Sequence, residues 1–471
     1  MKYLILLSLP GVARASDYAH LDGTSGNLGP ICLLIFGFAY LLVIGEEYLH
    51  LRKSIPVVIA AGVLWALVGS TAHSPQAQEI VHNSLKHYLL EFGELFLFLL
   101  SAMTFINTME DRGIFRAIRA WLVSRRMTLR AVYWMTGLMA FWISPLADNL
   151  TTALLMGAVV LAVGRGKKEF ITVSLVNIVV AANAGGAFSP FGDITTLMVW
   201  QAGHLEFFEF FRLLLPSLVN WLVPAFIMSF AVESGSPEVV NEKLEIRSGA
   251  WQVVVLFLFT VAMAVAAHAV FHLPPVLGMT TGLGLLKLYG THLKRGRVSD
   301  AGSDFNELEM GDEDDGPPEG MDPQQYFDVF RILEKAEWDT LLFFYGIILC
   351  VGALGTLGYL SLLSQLTYGS MGTSGANIFA GVLSAVIDNI PVMVAVLGME
   401  PDMSQGQWLL ITLTAGVGGS MLSVGSAAGV ALMGQAGGLY TFQSHLRWTW
   451  AIALGFACSV GAHFLVNGHL I

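Results

Sequence analysis

Three aspartates stand alone in apolar sequence. Asp148 is the only charged residue in 131–164, Asp193 the only one in 170–205, and Asp388 the only one between Leu341 and Met399. Each falls in a stretch that should interrupt a helix: Ser144-Pro145-Leu146-Ala147-Asp148-Asn149, Pro190-Phe191-Gly192-Asp193 and Asp388-Asn389-Ile390-Pro391. A carboxylate at membrane depth is costly and marks a functional site by default. The competing structural role is a helix N-cap, which Asp and Asn both fill well. Capping accounts for one such residue more readily than for three, and no Lys or Arg lies in these segments to neutralise them. Carboxylates without a basic neighbour attract cations. Oxygen donors flank them at Asn149, Thr151, Thr152, Asn183, Ser189, Thr195, Thr196, Asn389, Ser420, Ser423 and Ser426. Hard oxygen ligands, with carbonyls exposed at helix breaks, suit Na⁺ or Li⁺. Desolvation favours the proton on a carboxylate and a bound cation favours its loss, so ion and proton compete for one site, the minimum that antiport requires.

Such a site must be held by membrane-spanning elements. Of the 471 residues, 55% are hydrophobic and 13% charged, with mean hydropathy +0.66. That is about half the charge of a soluble domain. Apolar runs long enough to enter a ~30 Å hydrocarbon core recur throughout. The chain reads as an all-α polytopic membrane protein, which excludes a soluble enzyme and a nucleic-acid binder. The net charge of −11 comes largely from one loop, Asp300 to Asp322. Cys32, Cys350 and Cys458 lie in apolar spans and suggest no disulfide framework. No GxxxxGK[ST] motif points to ATP, and no cofactor is expected. His268 and His272 lack an HExxH context and read as packing at a span end.

Residues 1–15, with Lys2, a short apolar run and Ala13-Arg14-Ala15, fit a signal peptide, cleaved or retained as an anchor, that would leave residue 16 outside. Placing basic loops in the cytoplasm gives spans near 30–46, 55–71 and 89–109, then an amphipathic interfacial segment at 113–124. Residues 131–164 are flanked by Arg125, Arg126 and Arg130 on one side and by Arg165, Lys167 and Lys168 on the other. Both ends require the cytoplasm, so a re-entrant hairpin is expected, tolerated where its irregular tip lines a cavity. A broken span follows at 170–205, then spans 210–231, 250–271 and 275–290, and an acidic cytoplasmic loop within 291–338. Span 339–358, a second hairpin at 375–400, a broken span at 407–437 and span 446–467 complete the path.

The halves, 16–235 and 250–471, match each other. Glu94-Leu-Phe-Leu-Phe aligns with Asp339-Thr-Leu-Leu-Phe, and Gly113 with Gly358, both 245 residues apart. Ser144…Asp148-Asn149 aligns with Ser384…Asp388-Asn389 at 240, and Gly185-Gly186…Gly192-Asp193 with Gly418-Gly419…Gly425-Ser426 at 233. Five spans and one hairpin per half make the repeats inverted, the arrangement of secondary transporters with a midplane site. Glu94 and Asp339 are either proton-relay groups or boundary residues.

These motifs resemble the NhaD-type Na⁺/H⁺ antiporters of the ion transporter superfamily, through SPLADNLTTALL (144–155), NAGGAFSPFGDITT (183–196), SAVIDNIPVM (384–393) and GVGGSMLSVGSAAG (416–429). The resemblance implies exchange of Na⁺ or Li⁺ for H⁺, a bacterial inner-membrane location and a homodimer with a scaffold and a moving transport part. It carries an ion site onto Asp148, Asn149, Asn183, Asp193, Thr195, Thr196 and Asp388, and onto Ser420, Ser423 and Ser426. A rival of the same superfamily is a dicarboxylate or arsenite carrier, but Asp-Asn at both tips argues against an anion. A second rival, an intramembrane aspartyl protease, fails because position 190 is Pro where GxGD needs Gly.

Overall fold

The computed structural model describes Leu21 and residues 28–49, 51–124, 127–235, 246–300 and 329–471. The expected leader, Arg125, Arg126 and nearly all of the acidic loop lie outside the described residues. Every regular element among the described residues is a helix. Seven helices among the described residues are long and apolar enough to cross a membrane, and the chain is an integral membrane protein.

Two kinds of apolar helix occur. Ala250–Phe271 buries a single stripe, Ala250, Val253, Phe257, Thr260 and Ala264, and exposes Trp251, Val255, Phe259 and Phe271. An apolar surface on that scale suits lipid rather than water. Lys168–Gly186 is buried from Phe170 to its end, and Gln405–Gly418 from Gly406 to its end. These two are the inner rods of the molecule, and each stops at a break.

The first hairpin has arms Leu129–Ala147 and Asn149–Val163, separated by Asp148 alone. Its first arm packs on Lys168–Gly186 so closely that a Cβ at Gly185 would collide with the Phe141 carbonyl. The second hairpin ends its first arm at Leu383, turns through 384–388 and continues as Asn389–Met399. Here a Cβ at Gly418 would collide with the Gly381 carbonyl. Ser144 Oγ donates to the Ala182 carbonyl (2.6 Å), and Ser384 Oγ to the Ala415 carbonyl (2.9 Å). Backbone-on-backbone seating plus one hydroxyl bond holds each hairpin to its rod. The rods are followed by short helices, Ile194–Gln201 after the break at 187–193, and Ala427–Gln435 after two 3₁₀ turns, Gly419–Met421 and Ser423–Gly425.

Several boundaries differ from the hydropathy reading. The third helix runs from Pro75 to Asp111 rather than from 89, because Ser74 caps it, accepting from Ala77 N–H, and Pro75 starts it. Its 37 residues are about 55 Å long, beyond what a bilayer core needs. Val276–Asp300 extends ten residues into the expected acidic loop, and Val329–Glu334 is also helical. Tyr359–Leu383 includes a segment before the second hairpin that hydropathy does not mark, set off by a non-helical Gly372 at φ 69°. It follows Gly358 (φ 93°) as Ile114–Ser124 follows Gly113 (φ 85°).

Candidate cation site

Asp193 is the centre of the polar network. It caps Ile194–Gln201, its Oδ1 accepting from Thr195 N–H at 3.3 Å. Its Oδ2 accepts from Asn149 Nδ2 (3.3 Å) on the first hairpin and from Asn389 Nδ2 (2.8 Å) on the second. Asn149 Nδ2 also reaches Asn183 Oδ1 (3.0 Å), and Asn183 Nδ2 donates to Ser426 Oγ (3.0 Å) across the two halves. Ser426 in turn caps Ala427–Gln435, accepting from Gly429 N–H at 3.2 Å. Asn183, Asn389, Asp193 and Ser426 are all buried. Both hairpin tips and both breaks therefore meet in one network.

The other two aspartates frame it differently. Asp148 sits at φ 57°, ψ 165°, a sparsely populated region for a residue with a Cβ. Its Oδ1 accepts from Thr151 N–H (2.7 Å) and its Oδ2 from Thr151 Oγ (2.9 Å). Asp388 makes no capping bond, and its Oδ1 is buried without a hydrogen-bond partner among the described residues. Thr152 and Thr195 hydroxyls are unpartnered in the same sense. Asp148, Asp193 and Asp388 all line one cavity of about 550 Å³, with Asn149, Thr151, Asn389 and Ser426. Exposed Glu337 and half-exposed Glu46 and Lys53 lie on its wall and mark its mouth. Three carboxylates around one cavity, one of their oxygens uncommitted among the described residues, can take up a small cation or protons.

Other expected site residues stand apart. Thr196 Oγ bonds backward to the Ser189 and Asp193 carbonyls (2.7 and 2.6 Å), bracing the first break. Ser189 Oγ donates to the Pro145 carbonyl (3.0 Å), tying that break to the hairpin tip. Ser420 Oγ returns to the Val417 carbonyl (2.6 Å), and Ser423 Oγ faces Met433 Sδ (3.4 Å). Neither serine lines the cavity. Asp339 is hydrogen-bonded by Ser54 Oγ, which pins two helix starts together. Glu94 is half-buried in the long helix, and neither it nor Asp339 lines the cavity.

The expectation of a site without a basic neighbour needs correcting. Lys53, Tyr40, Glu46 and Glu337 all line the cavity. In the sequence Lys53 marks only the orientation of a loop. It comes from the connection between the first two spans, outside every segment where a hairpin or break is expected. Sequence distance conceals it.

Residues 39–416 match the family model described as citrate transporter. The chain is 52% identical over 464 residues to the Na(+)/H(+) antiporter NhaD of Vibrio cholerae, covering 98% of this chain and 97% of that one. It is 53% identical to the protein of the same name from Alkalimonas amylolytica (99% and 96% covered), and 30% identical to sodium/proton antiporter 1 of Arabidopsis thaliana (92% and 72%). The chain belongs to the NhaD family. NhaD proteins are transporters and not enzymes, which closes the protease reading. The citrate-transporter match ends at residue 416, ahead of the second break, so Ser420, Ser423 and Ser426 lie outside it.

Proposed function

We propose that this protein exchanges Na⁺ (or Li⁺) for H⁺ across a bacterial inner membrane, with both ions using the aspartate-lined cavity in turn. The observation that carries the reading is the convergence of Asn149 and Asn389, from opposite hairpins, on one oxygen of Asp193, with Asp148 and Asp388 on the same cavity wall. Asp148, Asp193 and Asp388 are the exchanging groups. Asn149, Asn183, Asn389, Thr151, Thr195 and Ser426 supply neutral oxygens, and Thr196, Ser420 and Ser423 shape the breaks. Glu94 and Asp339, which lie off the cavity, serve either as proton-relay groups or as boundary residues. The halves are inverted repeats, the mouth at Lys53 and Glu337 opens to the cytoplasm, the N-terminus lies outside after leader cleavage, and the assembly is a homodimer in lipid.

Competition fixes a sign. Below the governing carboxylate pKa, the apparent Na⁺ affinity falls by about tenfold per pH unit for a one-proton exchange. The deciding experiment is dissipation of a pH gradient in inside-out vesicles on adding NaCl, LiCl, KCl or citrate. Response to NaCl or LiCl with none to citrate supports antiport. A citrate carrier is the second reading, favoured by the description of the matching family model and by Lys53 on the cavity wall. Saturable citrate uptake without cation-driven proton movement would establish it instead.

A further inference from the structure

Among the described lining residues of the cavity, Lys53 is the one cation, set against Asp148, Asp193 and Asp388 within and Glu46 and Glu337 at the mouth. Its backbone is fixed. It immediately precedes Ser54–Thr71, whose first residue donates from Oγ to Asp339 at the start of Trp338–Thr356. Its side chain is half-exposed. Nζ lies 4.8 Å from the centroid of the Phe343 ring, which is fully buried, on that same helix. It shares the cavity wall with Asp388 and Glu337. Asp388 makes no cap bond, and one of its oxygens has no partner among the described residues. A cation held by an aromatic face and a flexible stem can move toward a carboxylate or retreat from it.

We propose that Lys53 is a tethered cation that competes with the entering ion for the carboxylates of this cavity, and so sets the Na⁺ concentration the site demands. The inference rests on the proposed Na⁺/H⁺ exchange. An ammonium carries the same charge as Na⁺ but cannot leave. It offsets carboxylate repulsion while the cavity is empty, and withdraws to Phe343 and Glu337 once a free cation arrives. Without it the site should bind Na⁺ more tightly and release it more slowly.

The test is Lys53→Met, with Lys53→Gln as a second neutral variant should the first fail to insert, and Lys53→Arg as the charge-keeping control. Half-saturating Na⁺ is measured by proton flux in inside-out vesicles, and Na⁺ binding by calorimetry on the purified full-length protein. The neutral variants should lower half-saturating Na⁺ by about tenfold, the scale of one charge at partly screened range. Lys53→Arg should stay nearer the wild type. Calorimetry should show the same tightening, which loss of a mere brace would not produce. An unchanged or raised half-saturation in normally abundant neutral variants overturns the proposal and leaves antiport standing. An equal shift in Lys53→Arg also overturns it. Wild-type protein that neither binds Na⁺ nor moves protons on NaCl addition would sink the antiport reading, and this one with it.

Discussion

The two helix breaks share a backbone and differ in charge. Asp193 (φ −148°, ψ 150°) and Ser426 (φ −143°, ψ 144°) occupy matched positions 233 residues apart, and each caps the short helix that follows it. Each also sits against a close glycine contact, Gly186 on Gly192 and Gly419 on Gly425. Capping is therefore common to both and explains neither carboxylate nor hydroxyl. What Asp193 adds is an acceptor for both hairpin tips, whereas Ser426 accepts from Asn183 alone among side chains. The hairpin tips repeat the lesson. Asp148 uses both oxygens on Thr151, while Asp388 makes no cap bond. Matched positions share a structural duty, and the mismatch between them is where the proposed chemistry falls.

Breaking the comparison at Asp193 should have the largest effect. Asp193→Asn removes the charge and the acceptor that Asn149 and Asn389 share, and Na⁺-driven proton flux in vesicles should fall to background at normal membrane abundance. Asp388→Asn should come next and abolish exchange while thermal stability stays within about 0.5 kcal/mol of wild type, since no cap is lost. Asp148→Asn should also abolish exchange, since Asn keeps the side-chain shape and caps a helix as well as Asp. If properly inserted Asp148→Asn and Asp388→Asn exchange at wild-type rates, the cavity is not the ion site. Ser426→Asp gives the second break the charge of the first. It should keep the Asn183 contact and change the number of protons moved per Na⁺, read from the reversal of flux at balanced gradients; an unchanged ratio would show that the second break lies off the ion path. Thr195→Ala should have the smallest effect, raising half-saturating Na⁺ by no more than about tenfold, the worth of one neutral oxygen of ~1 kcal/mol.

Much of this architecture is legible in the sequence. Lone aspartates at helix breaks, the matched Ser-Asp-Asn tips and the paired glycines depend on local spacing, and the interruption expected within 144–149 falls at Asp148, with Pro145 still inside the preceding helix. Contacts between distant segments are not legible. Asn389 bonds to Asp193 across 196 positions, and no periodicity announces such a pairing. Lys53 is hidden for the same reason. Ser420 and Ser423 look equivalent to Ser426, because composition cannot tell a hydroxyl facing a cavity from one turned back on its preceding helix, as at Ser420, or toward a thioether, as at Ser423. The long helix from Pro75 escapes a hydropathy reading because its first turns are polar, and its start depends on a cap rather than on an apolar run.

The carboxamides around Asp193 carry one more consequence. A lysine or arginine only donates, so a carboxylate facing one is satisfied in a single protonation state. An asparagine side chain offers a donor at one end and an acceptor at the other, and a half-turn about its last bond exchanges them. Asn149 and Asn389 now present their Nδ2 atoms to Asp193 Oδ2. Were Asp193 to take a proton, Asn389 could turn its carbonyl to receive it, while Asn149 keeps its bond to Asn183 Oδ1. The centre of the network can thus change its charge without unmaking its scaffold, as the exchange proposed at Asp193 requires.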